Sequence, residues 1–337
     1  MQKPQKPIVG ILIGDASGIG AEIIVKMLSG GNMKKLCAPL LIGDARILEQ
    51  TAKDLSLPIE LEIIESADDF LPENISANAV HILNIPHQDC ENIIKGEVNK
   101  SCGAATIEMI KKAVELANLG VIKGICYAPL NKAAMKKADS FVVSETELFA
   151  SLLGTTEKFG EVNMVDNVWT TRVTSHIPIK DVSNHLSVDA VFKCIQLAEE
   201  TLKQAGYENP RIGVSALNPH AGESGLCGDE EIEIISPAIE KAKAQGINAS
   251  GPYSSDILFI KAFDGDLDAG VTMYHDQGQI ALKLKGFSRG ITLAGGLPVP
   301  ITTCAHGTGF DIVGQNKANI SSFENALAVV SKMAENF

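Results

Sequence analysis

Residues 8–28 read IVGILIGDASGIGAEIIVKML, and their order decides the fold. IVGILI (8–13) is an unbroken apolar run of strand length, the pattern of a strand covered on both faces. GDASGIG (14–20) breaks it with three glycines, and from Gly18 to Leu28 apolar residues recur at helical spacing. A buried strand, a glycine turn and a helix open an α/β alternation. The alternation continues outward. LCAPLLIG (36–43) is a strand and a helix follows from Ala45; AVHILN (79–84) is a strand and 101–118 a helix; GVIKGICYAPLNK (120–132) is a strand and loop. Further strands are expected near 162–165, 169–174, 211–216, 270–274 and 298–303, with helices at 187–205, 229–245 and 321–334. The fold class is therefore α/β, with layered domains and mainly parallel sheets. No repeat, low-complexity stretch or linker run interrupts the chain.

The 337 residues suffice for two domains. The expected division puts 1–130 and 307–337 in the first domain and 131–306 in the second. Hydrophobic residues make up 45% and charged residues 21%, ordinary for a globular protein. No apolar run approaches the roughly 20 residues that span a bilayer, so no membrane partner is expected. The net charge of −12 argues against nucleic acid, which needs a basic face. A small anionic substrate needs only a few local cations. The seven cysteines are odd in number and none is spaced C-x-x-C, which fits free thiols in a reducing cytoplasm.

Three constellations carry chemistry. The glycine turn 14–20 offers backbone N–H groups at a helix start, where anions bind, and imitates the nucleotide loop of short-chain dehydrogenases. None of Tyr127, Tyr207, Tyr253 and Tyr274 has the Lys four residues on that those enzymes use. Nucleotide loop and tight packing turn both stay open. Second, His176 (TSHIP), His220 (NPHAGE) and His275 (MYHDQG) each follow an expected strand, where α/β sheets bind ligands. Three imidazoles meeting there could hold a divalent cation with positions open to substrate. Asp276 would orient one of them through its ring N–H. Third, ITLAGGLPVPITTCAHGTGFDIVGQNKAN (291–319) is polar and glycine-rich, suited to backbone approach to a flat cofactor. A helix opens after it at Ser321 or Ser322, with Glu324 placed for a capping box.

GDASGIGAE, APLNKAA, TSHIP, NPHAGESGLCGDEE, GPYSSDILF, YHDQGQIALKLKGF and HGTGFDIVGQNKAN stand in the order and at the spacing of the 4-hydroxythreonine-4-phosphate dehydrogenase family. The chain resembles that family from about residue 8 to its end. The resemblance implies two α/β/α layered domains with a cleft, as in isocitrate and isopropylmalate dehydrogenases, and a homodimer. It implies a divalent metal (Zn, Co, Ni, Mn or Mg) on His176, His220 and His275. It places substrate contacts at Thr146 and Lys283 and a catalytic role at Lys283 and Asp256; a substrate phosphate, if present, is expected to meet Lys132 and backbone amides instead of the family's own contacts. The cofactor, NAD or NADP, falls on His306, Gly307, Thr308, Asp311, Gly314 and Asn319.

The chain departs from the family at three substrate positions: Glu145 replaces a histidine, Thr292 an asparagine and Ile301 an arginine. Arg suits phosphate, and Ile cannot replace it. A carboxylate ~4 Å from a phosphate charge costs about 4 kcal/mol at an effective dielectric near 20. SETE (144–147) also reads as a helix capping box, which would place Glu145 for helical reasons. The expected activity is oxidation of a four-carbon hydroxy acid, phosphorylated or not, followed by decarboxylation where the new ketone lies beta to a carboxylate. A non-catalytic binding protein on the same fold and a phosphotransacetylase-like acyltransferase are the competing readings.

Overall fold

The computed structural model describes residues 6–66, 80–86, 89–156, 158–286 and 288–337. His87 and the first residue of the strand expected at 79–84 lie outside the described residues. Two compact units divide the chain: residues 1–156 with 297–337, and 157–296.

In the first unit, strands β1 (Ile8–Leu12), β2 (Ala38–Gly43), β3 (Leu61–Ile64), β4 (Val80–Asn84) and β5 (Gly124–Tyr127) alternate with helices. The helices are α1 (Gly20–Ser29), α2 (Asn32–Leu36), α3 (Ala45–Leu55), α4 (Lys100–Asn118), α5 (Lys132–Ala138) and α6 (Glu145–Leu152). The opening reading of 8–28 is the observed β1–turn–α1. β1 is almost wholly buried, as its continuous apolar run requires.

The second unit holds β6 (Gly160–Val165), β7 (Val168–Arg172), α7 (Val188–Gln204), β8 (Ile212–Ser215), α8 (Ser236–Ala244) and β9 (Ala249–Tyr253). It continues with α9 (Ser255–Phe263), β10 (Ala269–Thr272), α10 (His275–Gly286) and β11 (Ile291–Gly295). The chain then returns to the first unit as β12 (Ile301–Cys304) and α11 (Ser321–Ala334).

Within the first unit the strand order is β3-β4-β2-β1-β5-β12, and every recorded pairing is parallel. Within the second it is β11-β6-β7-β10-β8-β9. There β7, β10, β8 and β9 run parallel, while β6 pairs antiparallel with both β7 and β11.

The boundaries fall at 156/157 and 296/297 rather than at the expected 130/131 and 306/307, and the contacts say why. α5 lies so close to α4 that a Cβ on Gly103 would meet the Ala134 carbonyl oxygen at 2.0 Å. β12 pairs with β5, so residues 301–304 belong to the first sheet. Two local expectations need correction. The helix expected at 229–245 is a π turn at Glu231–Ile235 running into α8, where Pro237 supplies no N–H. The box expected at the start of α11 does not form. Asn319 accepts the Ser321 N–H at 2.8 Å, and Ser322 Oγ accepts the Ala305 N–H at 3.2 Å.

Candidate active site

The three histidines leave the carboxyl ends of neighbouring parallel strands. His176 follows β7, His275 follows β10 between them in the sheet, and His220 follows β8. Side chains tie these strand ends together. Thr174 donates both its N–H (3.1 Å) and its hydroxyl (2.7 Å) to the Met273 carbonyl. Gln277 accepts the Met273 N–H at 2.8 Å and donates to the Ala216 carbonyl at 2.7 Å. The exits that lead to all three histidines are thus fixed against one another.

His176 and His275 come together, with ring centroids 5.8 Å apart. Asp276 Oδ1 lies 2.6 Å from His275 Nδ1, which leaves Nε2 for a ligand. His220 is set differently. It is exposed and begins a run of five left-handed residues, His220 to Ser224, with φ between 42° and 78°. Its Nδ1 lies 3.1 Å from Glu223 Oε1. Among the described residues no three His, Cys, Asp or Glu side chains form a group that could hold a metal. The donor chemistry of the His176–His275 pair suits a divalent cation, and His220 is not gathered with it.

The left-handed run is costly. For its four non-glycine members the penalty is about 1–2 kcal/mol each. Buried Glu231 compensates. Its Oε1 accepts the N–H groups of Leu217 and Asn218, both at 2.8 Å, and its Oε2 accepts Asn218 Nδ2 at 3.0 Å. A Cβ on Gly222 would stand 2.6 Å from that Oε2.

A polar network that sequence reading missed lies in the same unit. Arg172 donates to Glu161 Oε2 (2.9 Å), Asn163 Oδ1 (2.7 Å) and Ser175 Oγ (2.9 Å). Asn163 in turn donates to Thr292 Oγ1 at 3.0 Å and accepts from Gln279 at 2.5 Å. Thr292 and Asn163 are direct partners across the β11–β6 ladder. Ser175 precedes His176, and Gln279 sits one helical turn after His275 on α10. A pocket of about 300 Å³ opens beside the network, lined in part by Lys158, Glu161, Arg172, Ser175 and Lys193. The available signal was an arginine ending a strand four residues before a histidine. Lys283 on α10 and Asp256 in the first turn of α9 are exposed. The cap of α9 is Ser254, so Asp256 is not held as an N-cap.

In the first unit, Ser144 Oγ accepts the Glu147 N–H at 3.1 Å and caps α6, so that half of the SETE box forms. Glu145 and the half-buried Thr146 follow in its first turn. Glu145 Oε2 lies 3.5 Å from Lys132 Nζ, so the lysine expected to meet phosphate faces a carboxylate. Ile301 is buried in β12 at 1% exposure, packed as core.

The glycine turn resolves toward packing. Ser17 donates its N–H to Asp15 Oδ1 (2.8 Å), Gly18 to Asp15 O (3.1 Å) and Ile19 to Thr308 O (2.9 Å). These donors are used internally, and a buried carboxylate occupies the helix start. Lys95 reaches the Ala16 carbonyl at 2.7 Å, and burial holds its pKa below the ordinary lysine value. The loop 305–319 lies against this turn. His306, Gly307, Thr308, Asp311, Gly314 and Asn319 all belong to it, and a Cβ on Gly307 or Gly314 would meet nothing within 4 Å. That bare outer backbone fits a flat cofactor ring. None of the seven cysteines forms a disulfide among the described residues. Burial pushes Cys37, Cys194 and Cys304 up to about 12.

The fold is that of an α/β protein of the dehydrogenase-like kind, with three histidines beyond the carboxyl ends of parallel strands. The chain belongs to the family described as pyridoxal phosphate biosynthetic protein PdxA, which matches residues 35–330. It is 37% identical over 329 residues to a D-threonate 4-phosphate dehydrogenase of Cupriavidus necator, covering 97% of each chain. It is 36% identical over 328 residues to the D-threonate 4-phosphate dehydrogenase of Pectobacterium atrosepticum, covering 97% of this chain and 99% of that one. The solved structure of a 4-hydroxythreonine-4-phosphate dehydrogenase from Klebsiella pneumoniae superposes with TM-score 0.88 at 34% identity, covering 98% and 99%. This is the family to which the seven motifs pointed.

Proposed function

We propose that the protein is a dehydrogenase acting on a four-carbon hydroxy acid with a terminal phosphate, of the D-threonate 4-phosphate or 4-hydroxythreonine-4-phosphate kind. The observation that carries this is the set of histidines at the ends of three adjacent parallel strands, on a chain whose full-length relatives bear those names. Oxidation would remove a proton from the substrate hydroxyl and a hydride from the same carbon, leaving a ketone; NAD or NADP, held by the loop 305–319, would supply the hydride acceptor. Where that ketone is beta to a carboxylate, carbon dioxide leaves next.

His176 and His275 would hold a divalent cation, with His220 as the third nitrogen. Such an ion supplies positive charge that favours the alkoxide. Lys283 would bind the substrate carboxylate or pass a proton, Asp256 would accept one, and Thr146, Lys132, Glu145 and Thr292 would shape the substrate end. The loop 305–319 would take the dinucleotide. A homodimer is supported by exposed Ile257 and Ile260 on α9 and Ile280 and Leu284 on α10. Cysteines without disulfides support a reducing, cytoplasmic setting. Among the described residues no helix is long and apolar enough to cross a membrane.

The test is reduced-dinucleotide formation with D-threonate and 4-hydroxythreonine, each with and without the 4-phosphate, in added divalent metal and in chelator. Turnover of a phosphorylated acid that chelator abolishes is expected. Turnover of the unphosphorylated acids alone would overturn the phosphate assignment. Binding of these acids without turnover would favour the non-catalytic reading, which the ungathered His220 permits.

A further inference from the structure

The loop 305–319 contains no strand or helix, and its outer face is exposed at Gly307, Asp311, Gly314, Gln315, Asn316, Lys317 and Asn319. Little apolar burial fixes its shape, so its polar anchors decide how often it is docked. The ends of the loop are held at α11, by Ser322 Oγ accepting the Ala305 N–H and Asn319 Oδ1 accepting the Ser321 N–H. Against α1, one anchor is backbone, the Ile19–Thr308 hydrogen bond. The other is a pair of side chains on α1. Glu22, only 5% exposed, accepts the Ala318 N–H at 2.8 Å through Oε1. The same oxygen accepts Lys26 Nζ at 2.8 Å. Lys26 Nζ also donates to the carbonyls of Ala318 (2.9 Å) and Asn316 (3.2 Å). Asn316 is left-handed, with φ 57°, a conformation that a non-glycine residue keeps only when held.

We propose that Glu22 and Lys26 form a latch that holds this loop in its dinucleotide-binding shape, making them positioning residues for the cofactor. The proposal rests on the reading of 305–319 as the dinucleotide loop. The linkage is direct: a site that is competent only a fraction of the time binds more weakly by that fraction. Breaking the latch therefore weakens dinucleotide affinity and leaves turnover of the loaded enzyme unchanged.

The experiment titrates NADH into the wild-type protein and into Glu22→Ala and Lys26→Met, and follows tryptic cleavage after Lys317 with and without NADH. If undocking leaves about a tenth of the molecules competent, Glu22→Ala binds NADH about tenfold more weakly. Its kcat at saturating dinucleotide and its KM for the hydroxy acid should stay within about twofold of wild type. It is also cut faster after Lys317, and NADH restores protection. Lys26→Met keeps the Glu22–Ala318 bond, so it serves as the test should Glu22→Ala fail to fold, and it shows the same effects more weakly. Wild-type affinity and wild-type cleavage in both variants overturn the latch alone. A wild-type protein that binds neither NADH nor NADPH overturns the cofactor reading, and the proposal falls with it.

Discussion

Glu231 shows how one buried carboxylate can set the geometry of a turn that bears a candidate ligand. Five consecutive left-handed residues are unfavourable, and the loop 217–224 keeps them because Glu231 takes up two backbone N–H groups and the Asn218 amide. Glu231→Ala would remove the acceptor of the half-buried Leu217 and Asn218 N–H groups, while the Asn218 amide keeps Glu230 Oε2 at 2.6 Å. The expected loss is about 2–4 kcal/mol of stability, read as a lower urea midpoint at unchanged m-value. A variant as stable as wild type would show that the turn does not depend on this carboxylate. Gly222→Ala should reproduce the loss, because the new methyl meets the same carboxylate at 2.6 Å and Gly222 has φ 78°.

At the scale of elements, the pairing of neighbouring strands is reinforced at their starts. Arg211, just before β8, donates to Asp268, just before β10, through its backbone N–H and two guanidinium nitrogens at 2.7–3.0 Å. Burial acts most strongly on Asp268 and pushes its carboxyl up; the Arg211 hydrogen bonds and charge together outweigh that, so its pKa lies below the ordinary carboxylate value. A depressed folded pKa means stability that is present above the unfolded value of about 3.9 and lost as pH falls through the folded value. Asp268→Asn should cost about 1–2 kcal/mol near neutrality, since the pair is bidentate but partly solvated. The difference from wild type should vanish in acid. A difference that persists unchanged at pH 3 or below would rule the ion pair out as its source. The strand–turn–helix at 8–28 and the histidines after β7, β8 and β10 were legible, because apolar periodicity and position after a strand are local properties. The Arg172–Asn163–Thr292 network was not. It exists only because the β11–β6 register sets Thr292 opposite Asn163, 129 residues apart in the chain. The same holds for Ile301, whose burial follows from the pairing of β12 with β5.

For the molecule as a whole, the surface of the second unit raises the question of assembly. α9 and α10 are in contact. Ile257 and Ile260 are spaced i,i+3 on α9, and Ile280 and Leu284 i,i+4 on α10, so each pair shares a helix face. Leu284 is 85% exposed and Ile260 57%. Scattered apolar residues require no explanation, but exposed apolar pairs on two helices that touch each other make this the surface on which to test the proposed self-association. A self-associating chain would cover it with a second copy through a two-fold contact, in which the same residues recur on both sides. Because the side chains are exposed, charging them should alter folding stability by only about 0.5 kcal/mol. Ile260→Glu with Leu284→Glu should therefore convert a dimer to a monomer by light scattering while the thermal midpoint at low concentration hardly moves. A wild-type protein that is monomeric at micromolar concentration would defeat the proposal outright. A double variant that remains dimeric would place the contact on another face and leave these isoleucines and the leucine as solvent-facing residues.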